Sequence, residues 1–322
     1  MTYNLVIACI DTRNPPAHLA ALQGLAVNVQ RVIGFDHPAE AELYREADAI
    51  ITELHPVTGP MMDTFNRCQI VACASTGYDY VDVPAATARN IWVTHCPGYC
   101  TDEVATHTIA LILSQARRLP QVRHLARNQA WDPRPVRPLP HVKRQTLGVI
   151  GWGRIGKAVT TKAQALGFNV LAHDPYIDPQ HMLAAGVTPA DRETLVRAAD
   201  YISLHTPLTA ETRGMVNADL LGLMKPTAYL VNTARGLLVD ESALLTAVQT
   251  GHIAGAAVDV LANEPPPADH PFLHDDRFVV TPHSAWCSEE ADQAVWEWAA
   301  GYVANVFRGE RPAGAVNEVK VK

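Results

Sequence analysis

Three residues in the second half of the chain have the side-chain types needed to reduce a carbonyl group: Arg235, Glu264 and His283. A histidine can give a proton to the carbonyl oxygen as a hydride reaches the carbon, and a carboxylate can fix the tautomer of that histidine. A guanidinium can hold a substrate carboxylate and a developing alkoxide. Each residue directly follows a short apolar run that predicts a β-strand. Because the carboxyl ends of parallel strands meet at one edge of a sheet, we expect the three side chains to share a site.

A glycine-rich loop provides the second chemical feature. The sequence GWGRIG at 151–156 lies between an apolar strand at 147–150 and a helical pattern, and Asp174 follows the next strand at 170–172. In this order the first glycine permits a tight turn, the second lets the backbone approach a pyrophosphate, and the third lets helix pack on strand. The N-terminus of the helix then offers N–H groups to the phosphates. A carboxylate at 174 fits a ribose 2′-hydroxyl and repels a 2′-phosphate, so the sequence predicts NAD rather than NADP as cofactor.

The elements that carry these residues alternate between strands and helices. Apolar runs occur at 5–9, 27–32, 49–51, 70–73 and 91–94 before the glycine loop, and at 201–204, 228–232, 254–258 and 278–281 after it. Such alternation is typical of α/β proteins with parallel sheets. We therefore predict two Rossmann-like or flavodoxin-like domains with a cleft between them. Residues 1–99 plus 288–322 would form the substrate (catalytic) domain, and 100–287 the NAD-binding domain.

Three further segments have distinct patterns. One long helix is predicted over Thr101–Arg127, because a capping-type residue and two acids begin it. The segment 131–143 is rich in Pro and Arg and is predicted to be an irregular arm. A last helix is predicted over 288–308, with four aromatic residues expected to be core or packing residues rather than a ligand site: Trp296, Trp298, Tyr302 and Phe307.

The composition excludes several classes of protein. At 322 residues the chain fits two domains, and a net charge of −7 with a pI near 6.0 argues against nucleic acid or anionic membrane partners. Six cysteines show no CxxC pair or metal-ligand spacing, which favours reduced thiols in a cytosol-like compartment and no bound metal. No apolar run is long enough for a membrane span, and the start of the chain is typical of a first strand rather than a secretory leader. We therefore expect a cytoplasmic protein.

Several motifs follow one another in order along the whole chain. They are PGYCTDEVATHT at 97–108, GWGRIG at 151–156 with HDPY at 173–176, VNTARG at 231–236, VDVLANEPP at 258–266 and TPHSAW at 281–286. Over essentially its whole length the chain resembles the D-isomer-specific 2-hydroxyacid dehydrogenase family. The resemblance implies an NAD-dependent oxidoreductase that interconverts a small 2-oxo acid and its D-2-hydroxy acid by hydride transfer.

The resemblance also implies a role for each motif. His283 would be the general acid in reduction and the base in oxidation, Glu264 would hydrogen-bond its imidazole and keep a proton available, and Arg235 would hold the substrate. The residues implied to contact the substrate are Ser75, Thr76, Gly77, Arg235, His283 and Trp286, the first three through backbone N–H groups that bind its carboxylate. The residues implied to contact the cofactor are Gly151, Gly153, Arg154, Ile155, Gly156, Asp174, His205, Thr206, Pro207, Thr233, Ala234 and Asp259.

The chain departs from the family pattern at four positions. Ser75 stands where the family often has Gly, and Tyr80 where an Asn is frequent. Thr52 and Glu53, expected on the loop after the third strand, occupy a place where phosphoglycerate-type members carry an Arg and a Ser. Because this loop has no cation for a phosphate, we expect a short unphosphorylated 2-oxo acid such as glyoxylate, hydroxypyruvate or pyruvate.

Two other functions remain as alternatives at this point. The segments at 97–108 and 281–291 also resemble the C-terminal binding protein branch, in which this fold serves as an NAD-gated corepressor that binds partner peptides. A dehydrogenase of formate or phosphite is a third hypothesis, although the formate branch is longer.

Two expectations concern neighbours of the site. The helix from Thr101 with the arm to Lys143 resembles the element through which family members form symmetric dimers, so a homodimer is expected. Three of the other histidines, His55, His95 and His107, are interpreted as surface or packing residues.

Overall fold

The computed structural model describes residues 2–9, 19–33 and 41–320. Contacts within the chain divide it into two units, one formed by Met1–Tyr99 and Ser288–Lys322 and the other by Cys100–Cys287. Each unit contains one parallel sheet, so the α/β prediction with two such sheets is confirmed.

The first unit contains a five-stranded parallel sheet in the order β2-β1-β3-β4-β5. Its strands are β1 (Tyr3–Cys9), β2 (Val27–Ile33), β3 (Ala49–Thr52), β4 (Ile70–Cys73) and β5 (Trp92–Thr94). This is the flavodoxin-like order. The strands are added in one direction from β1 to β2 and in the opposite direction from β3 onward, so the switch point lies between β1 and β3. Thr52 is the last residue of β3 and is fully buried, so its expected position on a loop is wrong. The loops after β3 and β4 leave the sheet side by side, at its carboxyl edge.

The helices of this unit are α1 (Ala41–Arg45), α2 (Gly59–Met62), α3 (Val83–Ala88) and α11 (Glu289–Phe307), numbered along the whole chain. The last of these begins where the Ser288 side chain accepts a hydrogen bond from the Ala291 N–H. Trp296 and Phe307 are buried against the sheet, as expected. Trp298 is 40% exposed and lies outside the core. The reason is the period of the helix, which turns a residue two positions from a buried one toward solvent.

The second unit contains a seven-stranded parallel sheet in the order β12-β11-β10-β9-β6-β7-β8. Its strands are β6 (Thr146–Ile150), β7 (Asn169–His173), β8 (Thr188–Pro189), β9 (Tyr201–Leu204), β10 (Tyr229–Asn232), β11 (Gly255–Val258) and β12 (Phe278–Val280). Only the two-residue edge strand β8 has no counterpart in the sequence prediction. The order is that of a Rossmann fold, whose switch point lies between β6 and β9.

The helices of this unit are α4 (Thr101–Ala116), α5 (Leu119–Arg127), α6 (Arg154–Leu166), α7 (Pro179–Ala184), α8 (Arg192–Ala198), α9 (Ala218–Leu221) and α10 (Glu241–Gln249). The single helix predicted over Thr101–Arg127 is therefore wrong. Arg118 adopts a left-handed conformation with φ 48° and separates α4 from α5. Pro120 explains the break, because it has no N–H to continue the first helix but is tolerated in the first turn of a new one. The segment 131–143 contains only short 3₁₀ turns and is otherwise irregular, as expected.

Candidate active site

His283 and Glu264 form the centre of the candidate site. The Nδ1 of His283 lies 2.6 Å from Oε2 of Glu264. Burial raises the pKa of Glu264, but the hydrogen bond and charge of His283, the Leu261 N–H and the charge of Arg235 outweigh it, and the net pKa lies below its usual range. An ionised carboxylate can only accept, so Nδ1 carries the hydrogen, and Nε2 is the atom that can exchange a proton with a substrate.

Asp259 holds the loop that carries His283. Its buried carboxylate accepts hydrogen bonds from the backbone N–H groups of Ser284 and Ala285, both at 2.9 Å, and from the Thr281 hydroxyl. His283 itself has a φ of 49°, an uncommon conformation for a non-glycine residue. The surrounding bonds stabilise that conformation, including His283 N–H to the Asp259 carbonyl at 2.8 Å. Asp259 is also one of the residues expected to contact the cofactor. Both of its carboxylate oxygens accept hydrogen bonds from the His283 loop, and the cofactor contact stays a prediction.

Arg235 lies on the turn after β10, next to the loop that carries Glu264. The Asn232 side chain shapes that turn, because it donates to the Arg235 carbonyl at 2.8 Å and accepts from the Ala234 N–H at 3.0 Å. A Cβ on Gly236 would lie 2.0 Å from the Leu261 carbonyl carbon, so only glycine lets the two loops approach. The positive charge of Arg235 is close enough to help lower the pKa of Glu264. Arg235, Glu264 and His283 thus lie together at the carboxyl ends of the neighbouring strands β10, β11 and β12.

His107 is a fourth polar residue of this site, and the sequence interpretation missed it. Its Nε2 lies 3.0 Å from Oγ1 of Thr281 and 3.6 Å from Oδ1 of Asp259. Because the Thr281 hydroxyl donates to Asp259, Nε2 of His107 must be the donor to Thr281. The interpretation of His107 as a surface or packing residue is therefore incomplete, since the residue belongs to the hydrogen-bond network behind His283.

The glycine loop has the shape that a dinucleotide requires. Gly151 has a φ of +90°, and a Cβ there would lie 2.6 Å from the His205 carbonyl. A Cβ on Gly156 would lie 2.2 Å from the Gly151 oxygen, whereas a Cβ on Gly153 would meet nothing within 4 Å. The open space over Gly153 is where a pyrophosphate would fit, at the start of α6, whose N-terminus has no side-chain cap. Arg154 and Ile155 are the first residues of that helix, and their N–H groups are suited to phosphate.

Asp174 follows β7 and faces the same loop. Its carboxylate accepts from the Trp152 N–H at 2.9 Å and the Tyr176 N–H at 3.0 Å. Each oxygen retains a lone pair for a ribose hydroxyl. The geometry therefore fits the expected role of this acid.

On the other side of the switch point, β9 leads into His205, Thr206 and Pro207. The His205 imidazole is buried, which lowers its pKa to about 3. It is therefore neutral, with Nε2 2.8 Å from the Ser203 hydroxyl and a buried Nδ1 that has no hydrogen-bond partner among the described residues.

Thr233 and Ala234, also expected at the cofactor, lie on the turn after β10. The Thr233 hydroxyl is 2.8 Å from that of Thr108, which donates to the Val104 carbonyl at 2.7 Å. Thr233 is thus the donor of the pair and fastens this turn to α4. Trp286 lies on the loop after β12, partly buried and three residues beyond His283.

In the first unit, the loop after β4 presents backbone N–H groups. The carbonyl of Ser75 accepts from the Cys96 N–H at 2.8 Å, that of Thr76 from Nδ1 of His95 at 2.7 Å, and that of Gly77 from the Ser75 hydroxyl at 2.6 Å. The N–H groups of Gly77 and Tyr78 have no acceptor among the described residues. A loop with its carbonyls occupied and its N–H groups open is suited to bind an anion.

Over the described ranges, no group of three or more His, Cys, Asp or Glu side chains is arranged to hold a metal ion. Within those same ranges, the helices are too short or too polar to cross a bilayer.

A Rossmann fold with an acid after its second strand, together with a histidine–carboxylate pair and an arginine at its carboxyl edge, defines a nicotinamide-dependent dehydrogenase. Comparisons with known proteins specify the class. Residues 109–285 match the model of the D-isomer specific 2-hydroxyacid dehydrogenase, NAD binding domain. The chain belongs to the D-isomer specific 2-hydroxyacid dehydrogenase family, and its cofactor is NAD.

Relatives and solved structures agree with this assignment. The chain is 38% identical over 296 residues to a glyoxylate reductase of Thermofilum pendens, covering 88% of this chain and 86% of the relative. It is 37% identical to a D-3-phosphoglycerate dehydrogenase of Methanocaldococcus jannaschii, covering 86% of this chain but only 53% of that longer relative. A crystal structure of D-lactate dehydrogenase from Aquifex aeolicus, complexed with NAD and lactic acid, is 27% identical with a TM-score of 0.90, covering 98% of this chain and 100% of that one.

Proposed function

We propose that the protein reduces a short, unphosphorylated 2-oxo acid, with glyoxylate, hydroxypyruvate and pyruvate as candidates, to its D-2-hydroxy acid. The hydrogen bond of 2.6 Å between His283 and Glu264, beside Arg235, carries the proposal. This set supplies a proton, an anion that holds the proton donor in orientation, and a cation for the substrate.

Each side chain has a defined task in this proposal. The cofactor, when bound, would supply the hydride as NADH in reduction and accept it as NAD in oxidation. Protonated His283 donates from Nε2 to the carbonyl oxygen while Nδ1–H stays bonded to Glu264. Arg235 binds the carboxylate and the carbonyl oxygen with its planar fork. Asp259 keeps the His283 loop in its uncommon conformation, so the imidazole keeps its orientation in both directions of the reaction.

The preference against a phosphorylated substrate depends on the segment after β3. The residues at 53–56 are Glu, Leu, His and Pro, with no Lys or Arg to balance a phosphate dianion. Glu53 would instead repel it. The relatives named as glyoxylate reductases support this choice, while those named as phosphoglycerate dehydrogenases make it the first point to test.

A substrate panel tests the proposal. Purified protein with NADH is given glyoxylate, hydroxypyruvate, pyruvate or phosphohydroxypyruvate, and the absorbance of NADH is followed. We expect turnover of at least one of the three unphosphorylated acids and a lower kcat/KM for the phosphorylated acid. A higher kcat/KM for the phosphorylated acid would refute the substrate assignment, and no turnover of any acid would refute the role of the site.

We also propose a cytoplasmic homodimer. Helix α5 buries none of its residues, and Leu119, Val122 and Trp131 expose apolar side chains on and after it. A second copy of the chain would cover such a surface. Sedimentation of Leu119→Glu beside the wild type tests this, because a dimer through α5 should dissociate in the variant, and a wild-type monomer would remove the proposal.

A further inference from the structure

The two departures from the family pattern in the first unit, Ser75 and Tyr80, are hydrogen-bonded to each other. Their hydroxyl oxygens are 2.7 Å apart. The Ser75 hydroxyl also contacts the Gly77 carbonyl at 2.6 Å, and a carbonyl can only accept. The single proton of Ser75 is therefore committed to Gly77, so Tyr80 must donate to Ser75. The result is a relay with one direction, from Tyr80 to Ser75 to the Gly77 carbonyl.

The Tyr80 side chain is held firmly at the start of this relay. Its backbone carbonyl accepts from the Val57 N–H at 3.0 Å, and its ring packs against the buried cluster around Val57 and Val71. Its hydroxyl also lies beside the Cys73 thiol and 3.5 Å from the Thr52 carbonyl, so it meets the ends of both β3 and β4. Burial raises the pKa of Tyr80 well above its usual value, and the hydroxyl stays a donor throughout the pH range of an assay.

Peptide geometry transmits this bond to the anion-binding N–H groups. In a trans peptide the C=O of one residue and the N–H of the next point in opposite directions. Holding the Gly77 carbonyl inward therefore turns the Tyr78 N–H outward. In the same way, the bond from His95 to the Thr76 carbonyl turns the Gly77 N–H outward. Tyr80 and His95 thus control one open N–H group each.

We propose that Tyr80 is a positioning residue for substrate, which acts through Ser75 to keep the Tyr78 N–H directed at the substrate carboxylate. This inference deepens the proposed function and rests on it, because it adds N–H donors of the loop at 75–78 to the proposed contacts of the substrate carboxylate. It also explains why both departures occur together: a serine at 75 gives the loop a hydroxyl, and a tyrosine at 80 is long enough to reach it.

The substitution Tyr80→Phe tests the proposal, because it keeps the packing of the ring and removes only the donor. We expect KM for the preferred 2-oxo acid to rise about threefold to tenfold, the range for loss of one hydrogen bond, with kcat and NADH affinity little changed. The matched control is Tyr3→Phe, which removes a hydroxyl bonded to the Phe307 carbonyl at 3.1 Å in the same unit. That variant should leave KM at the wild-type value.

A double-mutant cycle separates the relay from a general loss of stability. Ser75→Ala should raise KM by a similar factor, and Ser75→Ala with Tyr80→Phe should raise it no further than the larger single effect, because the two hydroxyls act in series. Ser75→Ala also serves as the second variant if Tyr80→Phe does not fold. A KM for Tyr80→Phe equal to that of Tyr3→Phe, or KM effects that multiply, would overturn the proposal.

A binding measurement distinguishes failure of this inference from failure of the proposed function. Oxalate, a small dicarboxylate, is titrated calorimetrically into the protein with saturating NAD. If the wild type reduces none of the acids, the proposed function fails, and a threefold to tenfold weaker Kd for oxalate in Tyr80→Phe still supports Tyr80 as the positioning residue. Equal oxalate Kd values in Tyr80→Phe and the wild type would refute it.

Discussion

Replacing Glu264 by Gln removes the negative charge from His283 while keeping the size and shape of the side chain. The wild-type contact is a charge-assisted hydrogen bond of 2.6 Å between side chains that are 25% (His283) and 32% (Glu264) exposed. Hydrogen bonds to charged groups contribute about 1.5–3 kcal/mol, so kcat should fall about 10- to 150-fold. The pKa of Glu264 lies below its usual value, so the wild-type carboxylate is ionised at neutral pH and carries the charge that the variant lacks.

The assay for Glu264→Gln is NADH oxidation under saturating substrate, with the Kd for NADH measured separately by fluorescence. The matched control is Glu193→Gln, an exposed glutamate of the same unit that pairs with Arg197 on α8. We expect the control to have the wild-type kcat and both variants to keep the wild-type Kd for NADH. A kcat for Glu264→Gln within twofold of the control would show that the carboxylate does not orient the imidazole.

Three further predictions concern the cofactor domain. Gly156→Ala should lower the free energy of unfolding by about 1–3 kcal/mol in thermal unfolding, because its Cβ would lie 2.2 Å from the Gly151 oxygen. Gly153→Ala should keep the wild-type Tm, because its Cβ would meet nothing within 4 Å, but the variant should bind NADH more weakly. Asp174→Ala should raise KM for NADH about tenfold or more and reduce the preference for NADH over NADPH, since it removes a charged acceptor of the ribose hydroxyl; an unchanged ratio of kcat/KM for the two cofactors would contradict this. The pKa of His205 is about 3 in the folded protein and 6.5 in the unfolded reference. Between these two pH values only the unfolded chain binds the proton. This residue should therefore lower the free energy of unfolding by about 1.4 kcal/mol for each pH unit below pH 6.5. In urea titrations between pH 5 and 7, His205→Gln should lack this component, and equal pH slopes for the two proteins would refute it.

The sequence contains most of the information about the cofactor domain. A strand, a glycine loop, a helix and an acid are consecutive in the chain, so their order alone predicts the turn that the structure forms at 151–156. Local signals were also present where the prediction is wrong or incomplete. Pro120 marks the break between α4 and α5, and the spacing of Trp298 from Trp296 marks its exposure.

The hydrogen-bond networks could not be predicted in the same way. His107 and Thr281 are far apart in sequence and become neighbours only when α4 packs on the sheet, so no local pattern indicates their contact. Ser75 and Tyr80 were each recognised as departures, but the direction of their hydrogen bond depends on a third partner, the Gly77 carbonyl. Periodicity predicts elements, whereas such networks depend on the placement of single atoms.

Arg235 is proposed to bind the substrate rather than the cofactor, and replacing this residue gives the sharpest test of the site. We expect Arg235→Ala to abolish reduction of the preferred 2-oxo acid while the Kd for NADH stays at the wild-type value. Arg235→Lys should restore only a small part of kcat/KM, because an ammonium cannot make the forked contact. Turnover by Arg235→Ala at a rate near that of the wild type would show that Arg235 is not needed to bind the substrate.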